Sequence, residues 1–169
     1  LSEISKRGLD VEISIKPTQL GLDFGQEEAR SRLAQLAAAA SSTVWVDMEG
    51  SDYVDQTLEI YRAVKAEHAN LGLCVQSYLY RTEEDVAGLL EIDASIRIVK
   101  GAYNEPESIA YPRKSDVDAS FVKLTRMLLE ARKNGGTGRP VLGTHDPAIV
   151  QETIRMGDEL GLEKRSYEF

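Results

Sequence analysis

Short runs rich in β-branched residues alternate along this chain with longer stretches whose apolar residues recur at helical spacing, and this alternation limits the possible architecture more than any other feature. The runs are VEISIK (11–16), TVWVDME (43–49), GLCVQS (72–77), SIRIVK (closing on Lys100), PVLGTH (140–145) and RSYEF (165–169). Between them, Val54, Leu58 and Tyr61 mark one helical face, as do Val117, Phe121, Leu124 and Leu128. Helix starts are read at Thr82 with Asp85 three residues on, at Ser115 before Asp116 and Asp118, and at Asp146 before Pro147. Six candidate strands and five helices in strict β-to-α order imply parallel strands joined by right-handed crossovers. A doubly wound open sheet and a closed barrel both satisfy that order.

Strand ends favour the barrel. Each apolar run finishes in polar residues able to do chemistry: Lys16, Asp47 with Glu49, Gln76, Arg97 with Lys100, and Thr144 with His145. In a (β/α) barrel such ends converge on one mouth, whereas an open sheet gathers its ligand contacts at a single switch point. Period-two alternation puts Ser14 and Lys16 opposite Ile13 and Ile15, and Asp47 and Glu49 opposite Val44, Val46 and Met48. By the same parity Cys74 with Gln76, Arg97 with Val99, and Leu142 with Thr144 belong to the pocket side, and the apolar side meets the helices. The expected fold class is α/β, a (β/α)8 TIM-type barrel, here partial and forming a single domain over residues 1–169. A complete barrel needs eight strands and roughly 250 residues, so six strands leave it unclosed, and exposed sheet edges would promote self-association into a homo-oligomer.

Composition narrows the partners. A net charge of −8, with no concentration of Lys or Arg, argues against a nucleic-acid surface and for a small-molecule ligand. No stretch reaches the roughly 20 apolar residues of a membrane helix. The single cysteine, Cys74, lies in the apolar run GLCVQ, where a free thiol behaves as a small hydrophobe, and a reducing, cytosolic setting fits. No second His or Cys lies at ligand spacing, so no metal is expected. The run AAAASS (37–42) reads as a helix end and turn, and GGTG (135–138) as a helix cap and linker, since it lacks the pattern of a phosphate loop.

Five motifs in order, ISIKPTQLG (13–21), VDMEG (46–50), VQSYLYRTEEDV (75–86), IRIVKGAY (96–103) and THDP (144–147), followed by SYEF, resemble proline dehydrogenase. NEPESIAYP after GAY is closer to the stand-alone bacterial enzymes than to the bifunctional ones. The resemblance implies oxidation of L-proline to Δ1-pyrroline-5-carboxylate with hydride transfer to FAD, and electrons passed on to a quinone. It therefore also implies a cytoplasmic protein with peripheral contact at the inner face of the membrane, although no amphipathic anchor is evident in the sequence. Carried over by motif, Arg97 matches the arginine beside the flavin N5 region, where a fixed guanidinium stabilises incoming negative charge. Lys100, Gly101 and Ala102 match a segment that approaches the flavin with its backbone, and Met48, Gln76, Thr144 and His145 match other cofactor contacts. Lys16 matches a substrate-side lysine and Asp47 an acidic active-site residue. The family's paired arginines for the substrate carboxylate lie on a final helix that would fall after Phe169, so the chain alone is expected to be inactive.

Plainer readings stand beside these. Asp47 and Glu49 in isolation would be a solvated strand end, and Arg97 a structural ion-pair partner of Glu49. Trp45, on the parity of Asp47, lines either the core or the pocket. A Schiff-base barrel aldolase or lyase using Lys100 is the main rival activity, because a lysine at a strand end in an apolar setting is what that chemistry requires. A non-catalytic flavin-binding remnant is the third reading.

Overall fold

The computed structural model describes residues 2–169. Its five strands are parallel and are ordered as they occur in the chain: β1 (Ile13–Ile15), β2 (Val44–Val46), β3 (Leu71–Gln76), β4 (Ser95–Val99) and β5 (Pro140–Leu142). Six α-helices accompany them: α1 (Ser2–Arg7), α2 (Gln26–Ala39), α3 (Val54–Lys65), α4 (Thr82–Leu90), α5 (Lys114–Lys133) and α6 (Pro147–Leu160). The last five follow the five strands one for one, as the alternation predicts, and α1 precedes β1. The residues fall into two compact units, one ending at Leu73 and one spanning Cys74–Phe169.

In the first unit, register pairs Ser14 with Trp45 and Trp45 with Gly72. A side chain at 72 could not be accommodated, since a Cβ there would lie 2.4 Å from the Trp45 ring. The indole N–H of Trp45 donates to Glu12 Oε2 at 2.7 Å, so this aromatic belongs to the packed interior and its one polar atom is satisfied. Helix α2 buries Ala29, Leu33 and Ala37, spaced four apart, and ends where the Asn70 amide donates to the carbonyls of Ala37 and Ala40. Helix α3 buries Val54, Leu58 and Tyr61 as its periodicity requires. The Tyr61 hydroxyl donates to the Leu71 carbonyl at 3.3 Å, and burial raises its pKa far above that of a free phenol.

In the second unit, α5 packs on α6, β4 and β5 through Phe121, Leu124, Leu128 and Leu129. Each such fully buried side chain contributes about 1.5–3 kcal/mol relative to exposure. Strand β4 alternates cleanly, Ile96 and Ile98 buried and Ser95, Arg97 and Val99 less so. The GGTG segment follows α5 as a cap: Gly135 has φ 97°, and the Asp93 carboxylate accepts from the N–H groups of Thr137 and Gly138.

Four expectations need correction. RSYEF is not a sixth strand but one parallel bridge, Val141 to Glu168, closed by Leu142 N–H to Glu168 O and Glu168 N–H to Pro140 O. Thr82 does not cap α4, because its hydroxyl donates instead to the Gln76 carbonyl at 2.6 Å, and α5 begins at Lys114, one residue before Ser115. Leu142 lies on the wrong face for the pocket. Register pairs Ile98 with Leu142 and Arg97 with Val141, so Leu142 joins the buried helix-facing side, and Gly143 occupies the Arg97 side instead. Asp146 does cap α6 as predicted, accepting from the Ala148 N–H with Pro147 in the first turn.

Candidate functional site

In the first unit, the carboxyl ends of β1 and β2 place Lys16 beside Asp47: the Asp47 N–H donates to the Ile15 carbonyl at 2.9 Å. Lys16 is exposed, Asp47 half-buried, Met48 and Glu49 buried. The chain after Lys16 turns through a short 3-10 segment, Pro17–Leu20, stopped by Gly21 at φ 90°. Glu49 secures that turn, accepting from the Thr18 N–H at 2.9 Å and the Thr18 hydroxyl at 2.8 Å. A buried carboxylate with two donors is satisfied without a cation. Glu49 is thus a holder of the loop that follows Lys16, a task its place in VDMEG did not disclose.

In the second unit, the ends of β4 and β5 open onto a cleft of about 630 Å3, lined by Lys100, Gly101, Ala102, Gly143, Thr144 and His145, together with the starts of α5 and α6. That volume lies within the ordinary range for small-molecule sites. Five of these six residues are among those singled out from the sequence. Arg97 lies on β4 on the less buried face, and Gln76, almost fully buried, ends β3. Two glycines line the cleft. Gly101 has φ 125°, a region closed to side chains, and at Gly143 a Cβ would sit 2.8 Å from the Val99 side chain. The cleft wall is therefore main chain at both strand ends.

The Lys100 side chain forms part of an ion-pair cluster. Its ammonium lies 2.6 Å from Asp118 on α5 and 2.8 Å from the α6 cap Asp146, and Lys114 contacts the same two carboxylates. The hydrogen bonds from Lys100 and then Lys114 hold the Asp146 carboxyl far below the usual range. For Asp118, burial pushes the carboxyl up, but the two lysines outweigh it and the net shift is downward. This cluster joins residues up to 46 positions apart. Asp118 and Asp146 were read from sequence only as helix-start acids, and no local signal ties either to Lys100. A Schiff-base lysine requires an apolar setting, and the double carboxylate engagement of Lys100 counts against that rival.

A flat ligand with polar edges, held from the main chain, fits this wall: two glycines remove side-chain bulk where it must approach, and the one long side chain of the segment is engaged with α5 and α6. The flavin group implied by the sequence motifs is of that kind. Among the described residues, no cluster of three or more His, Cys, Asp or Glu is placed to hold a metal ion, and no helix is long and apolar enough to cross a membrane.

Solved structures sharing this fold define its class. Proline utilization A from Bdellovibrio bacteriovorus, inactivated by N-propargylglycine, superposes with a TM-score of 0.80 at 24% identity over 92% of this chain and 19% of its own. A bifunctional proline utilization A protein gives 0.81 at 22% identity over 94% of this chain and 19% of its own. The fold class is α/β of the (β/α)8-barrel type, of which this chain supplies five parallel strands and their helices.

The family model for proline dehydrogenase matches residues 2–169, and the chain belongs to that family. Proline dehydrogenase 1 of Bacillus subtilis subsp. natto is 33% identical over 172 residues, 100% of this chain and 55% of the relative. Proline dehydrogenase of Deinococcus radiodurans is 34% identical over 171 residues, 96% of this chain and 53% of the relative. The chain spans about half the length of the curated relatives it matches.

Proposed function

We propose that this chain forms the cofactor-binding part of an FAD-dependent proline dehydrogenase, one partial barrel domain over residues 1–169, which oxidises L-proline to Δ1-pyrroline-5-carboxylate and passes electrons to a quinone. The observation that carries the reading is the cleft at the ends of β4 and β5, where Lys100, Gly101, Ala102, Thr144 and His145 come together in a chain of this family. Bound flavin would supply the hydride-accepting chemistry, and the protein supplies position and charge.

Within that reading, the main chain of Lys100–Ala102 and the Thr144–His145 turn hold the flavin, with Gln76 and Met48 as further contacts. Arg97 provides a fixed positive charge beside the ring, which favours the negative charge that develops during the transfer. Lys16 faces the substrate carboxylate, and Asp47 beside it orients the substrate or the lysine. A cytoplasmic protein meeting the membrane at its inner face follows from quinone as the acceptor.

A visible spectrum of the purified full-length protein with FAD, followed by anaerobic L-proline, tests the reading. Bleaching of the flavin band is expected, and Arg97→Met should slow it on the order of a hundredfold, the scale of losing one charge-stabilising donor. Absence of flavin binding removes the assignment. Binding without bleaching removes the substrate and leaves the cofactor.

A further inference from the structure

Gly101 lines the cleft wall in a conformation that glycine reaches freely, so something outside the segment has to restrict it. Tyr78 is placed to do so. A Cβ built on Gly101 would lie 2.4 Å from Tyr78 Cδ1, which puts the ring directly against the glycine. The Tyr78 N–H donates to the Lys100 carbonyl at 2.9 Å, so one residue grips the segment by its main chain and blocks it by its ring.

Tyr78 is itself held. Its carbonyl accepts from the Tyr111 N–H at 2.8 Å, and the next residue, Leu79, forms an antiparallel bridge with Ala110. One position further, the Tyr80 hydroxyl donates to the Glu107 carbonyl at 2.8 Å, and its ring meets Tyr111 edge to face at 4.7 Å. The segment 78–80 is thereby tied to the loop 103–112, and the Tyr78 side chain lines a second cavity, of about 600 Å3, with that loop. Only 8% of Tyr78 is exposed.

The atoms of Tyr78 nearest a Cβ on Gly101 are ring carbons, not the hydroxyl. The hydroxyl is buried without a well-formed hydrogen bond, and burial, then the nearby Glu105 carboxylate, pushes the phenol up to about 12. What acts on Gly101 is the ring.

We propose that Tyr78 is a positioning residue that fixes the Lys100–Ala102 main chain in the geometry that receives the flavin. The proposal rests on the flavin reading above. Its physical basis is preorganisation: a segment already ordered before binding loses less entropy when the ligand arrives, and affinity rises without a new contact.

The test titrates FAD into the wild-type protein and the variants Tyr78→Phe, Tyr78→Leu and Gly101→Ala, following flavin fluorescence, the visible spectrum of the bound form, and the thermal midpoint without flavin. Tyr78→Phe should bind within about twofold of wild type with an unchanged spectrum, while Tyr78→Leu and Gly101→Ala weaken binding about tenfold or more and alter the visible band. Wild-type affinity and spectrum in Tyr78→Leu overturn the proposal even if that variant melts earlier, because a purely structural role would lower stability alone. Backbone 15N relaxation of Gly101 in flavin-free wild type decides independently: an order parameter near about 0.85 is expected, and one below about 0.6 overturns the claim. If wild type takes up no FAD, the flavin reading falls and the relaxation result judges the positioning claim by itself.

Discussion

Two acidic groups at strand and helix ends solve the same problem in opposite ways. Glu49, after β2, accepts from a backbone N–H and a hydroxyl of one residue, Thr18, both neutral donors. Asp118 and Asp146, by the ends of β4 and β5, close on two ammonium groups, Lys100 and Lys114. The first arrangement fixes a loop through aligned hydrogen bonds to a buried carboxylate. The second joins three elements through charges that are partly wet, about a quarter exposed on Lys100 and Asp118. The first is accordingly strong and indifferent to salt, and the second weaker per contact and sensitive to protons and ions.

The largest effect should come from breaking the neutral-donor side. Glu49→Ala leaves two donors without their acceptor and should cost about 2 kcal/mol in urea unfolding, and Glu49→Gln should recover most of it, since its amide oxygen still accepts from the Thr18 N–H. Equal losses in both variants would mean that the negative charge, rather than the hydrogen bonds, holds the loop.

Acid sharpens the contrast. Asp118 and Asp146 have folded-state pKa values below the 3.8 of a free aspartate, so their contribution is fully present above that pH and is lost as pH falls through the depressed folded values. Unfolding stability should therefore decline below about pH 4, and the double variant Asp118→Asn, Asp146→Asn should show a shallower decline over the same window. An unchanged slope would remove the cluster from the acid response.

Salt separates the two regions next. Asp118→Asn should lower stability by less than Glu49→Ala, and the difference from wild type should shrink as sodium chloride rises toward about 1 M, where charges are screened within a few ångströms. The Glu49→Ala loss should stay constant across the same series. The smallest effect is expected at the surface network of Arg155 with Glu152 and Glu159, where Arg155→Ala should leave the unfolding midpoint within experimental scatter.

The site was legible to different depths in the same two regions. Arg97, Lys100, Thr144 and His145 could be singled out because they sit at the carboxyl ends of runs whose period is local, and a strand followed by a helix brings such ends to one side, whereas Gly101 was marked only by the family motif that contains it. The role of Gly143 escaped because counting outward from Leu142 assumes a register that the strand's own residues do not set. That register comes from Ile98 on β4, and Glu168 then occupies the other edge of β5. The RSYEF run carries the aromatics Tyr167 and Phe169 but no Val, Ile or Thr, a thinner strand signal than the other runs have, and in the structure it makes one bridge.

From its sequence alone this protein determined the order of its elements, the buried faces of α3 and β4, the cap at Asp146 and the motifs of its family, since each depends on residues within a turn or a strand of one another. Only the tertiary structure decided which face Leu142 takes, that Glu49 serves Thr18, that Lys100 reaches Asp118 and Asp146, and that a tyrosine ring lies against Gly101. Those contacts join side chains distant in sequence, and their partners are chosen by packing and register, which no local pattern encodes.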